Sequence, residues 1–328
     1  VAYTPLHGVG AAVFEQAVAP LGVDLRIVSS QADPDPDFPT VSFPNPEEPG
    51  ALDELLELAR SVEADVALAH DPDADRLAAA VPDGETWEVL TGNEIGALLG
   101  DHLLATTEGD DRLVVTTVVS SRLLSHIAHA HGVSFAETLT GFKWVMRPAI
   151  DGPNRFVFGY EEALGFAVND LVRDKDGISA GVSFLHAVEH LRHAGLTPRG
   201  RLDQLACDHG VHVGSQRTIA FTGPDAGVQM AQRMNDVRTS VWSDVVSVGV
   251  VEVVDFADGS HDPGTDLLRF DLEDGSRVQI RPSGTEPKLK IYGEVVIAVD
   301  DVTQVADARR QGAQRGAELL DGVAARLA

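Results

Sequence analysis

The sequence predicts an α/β fold: two doubly wound α/β/α domains followed by a smaller α+β domain, divided at residues 1–90, 91–203 and 204–328. Three observations lead to this prediction. The 328 residues exceed the roughly 100–200 that one ordinary domain needs. The first two thirds alternate short apolar runs with stretches of helical periodicity, as in parallel sheets covered by helices. The last third is rich in apparent strands.

In the first predicted domain, residues 10–20 and 51–63 have the apolar spacing of helices, and residues 23–28 have that of a strand. The apolar run at residues 66–69 is too short for a helix and suits a buried parallel strand. Because doubly wound sheets bind ligands at the carboxyl ends of their strands, the loop after residue 69 is a candidate site.

The second predicted domain begins at Thr91, which forms a capping box with Glu94 at the start of a helix. The Gly195–Arg201 stretch, with Pro198 and two glycines, reads as a linker. Between them we expect strands near residues 113–119, 133–135 and 156–158, and helices from residue 121 and over residues 178–194.

The third predicted domain contains mainly strands, with two helices. A hairpin is expected to turn at Asp274-Gly275, between strands over residues 266–272 and 276–281. The remaining elements are expected to be a helix over residues 226–237, strands over 245–254 and 289–296, and a helix from residue 302 onward.

Charge and composition narrow the function. A net charge of −26 argues against nucleic acid, whose phosphates require a basic surface. No apolar run approaches the roughly 18–20 residues of a membrane span. A single cysteine, Cys207, cannot form an intrachain disulfide, which favours the cytoplasm. The chain starts at Val1 without methionine or leader, so we expect its true N-terminus to lie upstream.

The few lysines fall in informative places. Only four of the 25 basic residues are lysine, namely Lys143, Lys175, Lys288 and Lys290, and all lie in segments singled out below. The alternative is that these four lysines are scattered by chance in a protein that otherwise uses arginine. We favour the interpretation that lysine is kept where its compact positive charge contacts an anion.

The first candidate site is the loop after residue 69, which contains Asp71, Asp73, Asp75 and Arg76. In an extended chain, side chains at i, i+2 and i+4 share one face, so the three carboxylates would converge. Hard oxygen ligands select magnesium or calcium, and magnesium is favoured because it keeps positions for water or substrate phosphate. Arg76 would clamp that phosphate. The alternative is a solvated acidic turn.

The second candidate is the loop Arg281–Lys288. Gly284 would let backbone amides face a ligand, Ser283 and Thr285 add hydroxyl donors, and Arg281 and Lys288 add charge. These features predict a phosphate-binding nest. The alternative is an ordinary turn between two strands, which does not explain the flanking cations in so acidic a protein.

A third cluster is divided among three segments: Thr140–Trp144, Gly159–Gly165 and Arg173–Gly177. A carboxylate such as that of Glu161 can accept hydrogen bonds from two sugar hydroxyls, and a lysine such as Lys175 can meet a phosphate. The alternatives are a carboxylate favoured by a helix start for Glu161 and a surface ion pair for Lys175.

Three histidines, His186, His190 and His193, lie at helical spacing. We interpret them as a solvated or partly packed helix face rather than a metal site.

Taken together, these segments resemble the α-D-phosphohexomutase superfamily, in particular its phosphoglucomutase branch with phosphopentomutase-like enzymes. They span nearly the whole chain in family order. The matching segments are Tyr3–Gly10, Asp35–Glu48, Asp71–Arg76, Thr138–Trp144, Tyr160–Gly165, Asp174–Gly177 and Arg281–Pro287.

The resemblance implies a four-domain, Mg²⁺-dependent enzyme that moves a phosphoryl group between the C1 and C6 oxygens of a hexose. A phosphoserine would donate it, through a hexose 1,6-bisphosphate intermediate. The resemblance also implies roles for five residues with the phosphorylated sugar: Glu161 at its hydroxyls, Thr140 and Gly141 in specificity, Lys143 and Lys175 in substrate contact. The loop Arg281–Lys288 would hold the phosphate that is not transferred.

Two departures qualify the resemblance. The family's Ser-His-Asn phosphoserine loop is absent, so we expect the N-terminal domain to be missing and this chain alone to be inactive. Ala163 stands where many relatives have serine, which leaves phosphomannomutase and phosphopentomutase open. A phosphatase with Asp71 as nucleophile and a non-catalytic sugar-phosphate-binding protein are the alternatives from other classes.

Overall fold

The computed structural model describes residues 1–84, 86–260, 264–284 and 286–327. The chain divides into two compact units, Val1–Leu202 and Asp203–Ala328. Of the helices that the described residues form, none combines the length and apolar character of a membrane span.

The first unit begins with a five-stranded sheet in the order β2-β1-β3-β4-β5. The pairs of β1 with β2 and β3 are parallel, whereas β4 is antiparallel to both β3 and β5. The strands are β1 (Ala2–Thr4), β2 (Arg26–Ile27), β3 (Ala67–His70), β4 (Leu77–Asp83) and β5 (Thr86–Val89). The helices α1 (Ala11–Val18) and α2 (Asp53–Ser61) confirm the predicted ones, while β2 is shorter than expected.

A four-stranded sheet follows in the order β7-β6-β8-β9, with only β9 antiparallel to its neighbour. Its strands are β6 (Arg112–Thr117), β7 (Ser134–Thr138), β8 (Arg155–Glu161) and β9 (Gly165–Ala167). Its helices are α3 (Gly92–Thr106), α4 (Leu123–Ala130), α5 (Phe142–Val145), α6 (Arg147–Asp151) and α7 (Gly177–His193). The predicted capping box at α3 is confirmed, because Thr91 Oγ1 accepts the Glu94 N–H while the Glu94 carboxylate accepts the Thr91 N–H.

Helix α7 connects the two sheets of the first unit, because it packs against β3 and β4 as well as β9, α1 and α3. Its N-cap is Asp176, whose carboxylate accepts the N–H groups of Ile178 and Ser179. Its buried face includes Ala180, Phe184 and other small or apolar side chains. The start of α7 is therefore held at the boundary between the two sheets.

The predicted linker Gly195–Arg201 is wrong in its second half, where α8 (Pro198–His209) begins. Proline is compatible with the first position of a helix, because its missing N–H would have no partner there. Arg201 holds this turn, with Nε and Nη2 at 2.8 and 2.7 Å from the two carboxylate oxygens of Asp101.

The second unit contains a six-stranded antiparallel sheet in the order β10-β15-β14-β13-β12-β11. The strands are β10 (Val211–Ala220), β11 (Asp244–Val245), β12 (Val248–Asp255), β13 (Leu268–Leu272), β14 (Arg277–Pro282) and β15 (Lys288–Ile297). The helices α9 (Ala226–Thr239) and α10 (Val302–Leu327) cover a core around Phe270, Ile280, Ile291 and Leu319. The predicted hairpin turn is confirmed, with Gly275 at φ +79°.

Candidate metal centre

The loop Asp71–Arg76 joins β3 to β4, whose antiparallel register pairs His70 with Leu77. Ala74 adopts a left-handed conformation with φ +58°, and its N–H donates to the Asp71 carbonyl at 2.9 Å. The chain therefore turns, so the expectation of an extended loop is wrong. The expected convergence is confirmed, because carboxylate oxygens of Asp71, Asp73 and Asp75 lie within 4.8 Å of one another.

The three carboxylates fit a hard divalent cation. They provide only oxygen donors, the chemistry that Mg²⁺ and Ca²⁺ prefer. Asp71 is buried, Asp75 is half-buried and Asp73 is exposed, so the group faces solvent on one side. A cation held here would keep positions for water or a substrate phosphate.

Arg76 is bound within this loop. Its Nε lies 2.6 Å from Asp71 Oδ2, its backbone N–H donates to Asp71 Oδ1 at 3.0 Å, and Nη1 donates to Asn45 Oδ1 at 3.0 Å. Burial raises the pKa of Asp71, and the hydrogen bonds from Arg76 oppose that shift. Arg76 thus stabilises the charged form of a buried carboxyl group, and phosphate clamping by Arg76 stays a prediction.

Lys175 neutralises a second carboxylate of the loop, with Nζ 2.5 Å from Asp75 Oδ2. Burial lowers the pKa of Lys175, but the hydrogen bond and charge of Asp75, together with the charges of Asp174 and Glu161, outweigh burial and leave that pKa above its usual value. Lys175 directly precedes the N-cap of α7. The structure therefore brings together the predicted metal ligands and one predicted substrate-binding lysine.

Behind the carboxylates lies a buried hydrogen-bond relay that sequence reasoning missed. The His70 ring bridges the Tyr3 hydroxyl, 2.9 Å from Nδ1, and the Gly177 carbonyl oxygen, 2.9 Å from Nε2. A carbonyl oxygen only accepts, so Nε2 carries the proton and Nδ1 accepts from Tyr3. Burial lowers the pKa of His70 to about 4, which keeps the ring neutral.

A glycine is required at position 177, where the start of α7 packs against the loop Asp71–Arg76. A Cβ at this position would lie 2.5 Å from the Arg76 carbonyl oxygen and 2.7 Å from that of Ala74. The Gly177 N–H donates to the Ala74 oxygen at 3.1 Å. The same peptide region is thus bound to the loop through its N–H and to His70 through its carbonyl.

The predicted sugar-specificity residues lie partly beside this centre. Glu161, at the end of β8, accepts the Gly141 N–H at 2.7 Å through Oε1. The backbone joins the two loops, since the Leu77 N–H donates to the Leu164 oxygen at 3.0 Å and Arg76 bridges Gly165.

Two further predicted substrate residues lie on either side of Gly141, whose N–H Glu161 accepts: Thr140 directly precedes it, and Lys143 lies in α5. Thr140 is half-buried, and Lys143 is exposed with Nζ 5.2 Å from the centroid of the Trp144 ring. Nothing in the described contacts attaches Lys143 to the carboxylates. Its role with substrate stays a prediction.

Glu162, next to Glu161, belongs to a structural network that the sequence did not reveal. Its Oε2 accepts hydrogen bonds from Ser120 Oγ at 2.8 Å and Thr117 Oγ1 at 3.3 Å. Its N–H donates to Ser120 Oγ at 3.2 Å. The two adjacent glutamates therefore have different partners: Glu162 binds Ser120 and Thr117, whereas Glu161 binds the Gly141 N–H.

The predicted phosphate loop lies in the second unit between β14 and β15. Ser283 N–H donates to the Lys288 oxygen at 2.8 Å, and Lys288 Nζ lies 2.9 Å from Glu286 Oε1. Arg281 and Ser283 are half-buried. A Cβ at Gly284 would meet nothing within 4 Å. Thr285 lies outside the described residues.

Family models match three successive segments of the chain. They are the phosphoglucomutase/phosphomannomutase α/β/α domain II over residues 1–84, α/β/α domain III over residues 91–205, and the C-terminal domain over residues 229–312. The chain therefore belongs to the phosphoglucomutase/phosphomannomutase family.

Curated relatives carry several mutase names. A "Probable phosphomannomutase" of Haemophilus influenzae is 40% identical over 293 residues, covering 88% of this chain and 58% of its own length. A "Probable phosphoribomutase" of Schizosaccharomyces pombe is 36% identical, covering 88% and 54%. The human "Phosphopentomutase" is 33% identical, covering 89% and 52%. The chain thus spans about half the length of these relatives.

Solved structures share the fold. A Paramecium phosphoglucomutase, pp63/parafusin, aligns with a TM-score of 0.70 at 20% identity, over 98% of this chain and 57% of its own. A phosphoglucomutase/phosphomannomutase family protein of Burkholderia thailandensis aligns with a TM-score of 0.67 at 19% identity, over 96% and 60%.

Proposed function

We propose that this chain forms the metal- and substrate-binding part of a Mg²⁺-dependent phosphohexomutase of the phosphoglucomutase type. Such an enzyme moves a phosphoryl group between the C1 and C6 oxygens of a hexose. One observation carries the proposal: Asp71, Asp73 and Asp75 converge within 4.8 Å, with Lys175 on Asp75. Family membership supports the same reaction class.

The carboxylates would hold Mg²⁺, which supplies charge neutralisation for phosphoryl transfer when bound. Arg76 stabilises the ionised form of Asp71, since its Nε and N–H donate to both carboxylate oxygens. Lys175 is placed to exchange its Asp75 partner for a substrate phosphate, because both are anions and its side chain is 30% exposed. The cation and Lys175 would then share the negative charge of the reacting group.

Sugar recognition is assigned to the neighbouring loops. Glu161 would accept hydrogen bonds from two sugar hydroxyls, and its bond to the Gly141 N–H orients it for that contact. Thr140 and Lys143 would complete the specificity loop.

The loop Arg281–Lys288 in the second unit is assigned to phosphate binding. This assignment includes Ser283, Gly284 and Thr285. We also propose the three-domain division at residues 1–90, 91–203 and 204–328, which the matched family segments support.

The phosphoryl carrier would be a phosphoserine, and hexose 1,6-bisphosphate would be the intermediate. The 328 residues contain no Ser-His-Asn sequence, the type that carries the phosphoserine in the family. We therefore expect this polypeptide by itself to bind a small phosphorylated sugar without turning it over.

The test has two readouts on the 328-residue chain in Mg²⁺. Calorimetry with glucose 1-phosphate and glucose 1,6-bisphosphate should give binding that Glu161→Gln weakens. A coupled assay for glucose 6-phosphate should give no turnover. Absence of binding to both sugars would contradict the substrate assignment, and full turnover would contradict the requirement for a serine outside these residues.

A pentose or mannose phosphate is the second candidate substrate. Ala163 follows the paired glutamates, where a serine would add a hydroxyl contact to the sugar, and relatives named phosphoribomutase and phosphopentomutase match at 36% and 33% identity. Competition calorimetry with glucose, mannose and ribose 1-phosphates ranks the three. Tighter binding of ribose 1-phosphate would move the proposal to the pentose.

Two other classes fit the site less well. A phosphatase would need Asp71 as nucleophile, but both its oxygens accept hydrogen bonds from Arg76. Trapping an aspartyl phosphate on Asp71 would support that class. A non-catalytic sugar-phosphate-binding protein would bind the same ligands, and mutase activity in any longer form that contains this chain would exclude it.

A further inference from the structure

A cluster of histidines lies between α3 and α7, towards the end of α7 that is remote from the aspartate loop. His102 on α3 and His190 on α7 have ring centroids 5.7 Å apart and ring planes at 62°. His186 precedes His190 by four residues, which places both on one face of the helix. The proposed function uses none of these residues.

A cavity of about 200 Å³ lies beside the two facing rings. Its lining includes His102 and Leu98 from α3, and His190 and Ala187 from α7. Such a volume holds several water molecules. The rings of His102 and His190 therefore border a space that is open to small ligands rather than a packed interior.

The His102 ring is half-buried beside two other histidines and Asp101. Burial lowers the pKa of His102, the neighbouring His190 and His186 lower it further, and Asp101 opposes them. Asp101 is already paired in two hydrogen bonds with Arg201, at 2.8 and 2.7 Å, and lies 3.8 Å from His131. Asp101 is thus engaged with its own partners, and the facing rings of His102 and His190 lie next to the cavity.

We infer that His102, His186 and His190 bind a divalent transition-metal ion of the Zn²⁺ type. Imidazole nitrogen suits zinc, and an i,i+4 pair on one helix with a third ring from a facing helix provides three ligands. With Zn–N distances of about 2.0–2.1 Å, two ligating rings have centroids roughly 5 Å apart, close to the spacing of His102 and His190.

Binding requires side-chain rotation. Within the described part of the chain, the aspartate loop is the one group of three His, Cys, Asp or Glu residues whose ligand atoms already lie within 4.8 Å of one another. The histidine nitrogens must therefore move closer together to share an ion. His186 and His190 are exposed, so rotation costs them little packing. The sequence favoured a solvated or partly packed helix face for His186, His190 and His193. The fold adds His102, which is distant along the chain but faces His190.

An ion at this site would fasten α7 to α3 without contacting the aspartate loop. The inference does not depend on the proposed mutase function, because it concerns nitrogen ligands elsewhere in the fold. The two sites differ in the ions that they select, which allows separate measurement.

The test is titration of the 328-residue chain with Co²⁺, read by its visible absorption, and with Zn²⁺, read by calorimetry. Excess Mg²⁺ is present to occupy the aspartates. We expect one site with nitrogen coordination. His102→Ala and His190→Ala should each weaken Zn²⁺ binding by more than about tenfold, the lower end of the cost of losing even an outer-shell partner.

His193→Ala is the matched control, since His193 lies on the same helix but pairs with Glu189 at 2.9 Å. It should leave Zn²⁺ affinity unchanged. Because His190 is exposed, its variant should fold normally, which circular dichroism checks. Absence of Zn²⁺ binding, or equal affinity in the wild type and in His102→Ala and His190→Ala, would overturn the inference.

Discussion

His70 Nε2 lies 2.9 Å from the carbonyl oxygen of Gly177, 107 positions later in the chain. This bond joins the last residue of β3, directly before the metal loop, to the first residue of α7. The other ring nitrogen accepts from Tyr3, so one buried side chain joins β1, β3 and α7. The position of the aspartates thus depends on a residue that would not itself contact a cation.

Removing this imidazole should destabilise the fold. His70→Ala leaves the Tyr3 hydroxyl and the Gly177 carbonyl without a partner and opens a cavity, with a cost of about 3–4 kcal/mol in the free energy of unfolding. Urea denaturation measures it. A loss below about 1 kcal/mol would contradict the bridging role, since a single ordinary hydrogen bond contributes that much.

The same residue predicts a pH dependence. The pKa of His70 is about 4 in the folded protein and near the ordinary histidine value of 6.5 when unfolded, so the unfolded state binds the proton more readily. The contribution of His70 to stability is therefore complete above about pH 6.5 and is lost as the pH falls towards 4, by about 3 kcal/mol in total. Stability curves of the wild type and His70→Gln should converge over that range. Parallel curves would contradict the prediction.

Gly177→Ala should also be costly. Its Cβ would lie 2.5 Å from the Arg76 carbonyl oxygen, so α7 and the metal loop must separate, at about 2–3 kcal/mol. Gly227→Ala is the control, because Gly227 lies in α9 and its Cβ would meet nothing within 4 Å. That variant should gain about 0.5–1 kcal/mol from helix propensity. Thermal denaturation compares the two, and equal melting temperatures would argue against the close approach.

Lys175 should act in opposite directions on cation and phosphate. Its Nζ competes with Mg²⁺ for Asp75, so Lys175→Met should tighten Mg²⁺ binding by roughly two- to fivefold, the size of a partly exposed ion pair. The same variant should weaken binding of glucose 1-phosphate. Separate calorimetric titrations measure both constants. A change of both affinities in the same direction would contradict the exchange of partners.

Substitutions of the adjacent residues Glu161 and Glu162 should have different effects, the first on sugar-phosphate affinity and the second on the free energy of unfolding. Glu161→Gln should lower sugar-phosphate affinity by about tenfold while leaving the unfolding free energy nearly unchanged. Glu162→Gln weakens charge-assisted bonds from Ser120 and Thr117 and should cost about 1–2 kcal/mol of stability. Calorimetry and denaturation of both variants test this. The reverse pattern would assign sugar contact to Glu162.

Local signals made parts of this fold predictable. The Thr91 capping box and the Asp274-Gly275 turn depend on residues close together in sequence, and both are confirmed. The start of α8 was missed because Pro198 and Gly200 are typical of linkers, although proline also suits the first turn of a helix.

The convergence of Asp71, Asp73 and Asp75 was predictable because six consecutive residues form the loop. The hydrogen bonds that hold this loop in place were not predictable. The bonds of His70 to Tyr3 and Gly177 connect residues 67 and 107 positions apart, and no local pattern encodes them. The same limit applies to His102 and His190, whose contact exists only after α3 and α7 pack together.

The central claim is that the aspartate loop binds Mg²⁺ with a ligand set that a phosphate completes. The most direct measurement is calorimetry of Mg²⁺ with the 328-residue chain and with Asp73→Asn, each with and without glucose 1,6-bisphosphate. We predict weak Mg²⁺ binding that the bisphosphate strengthens, and a loss of at least about tenfold in Asp73→Asn, whose exposed side chain can change without disturbing the fold. Tight binding that is independent of phosphate, or equal affinity in Asp73→Asn, would contradict the account.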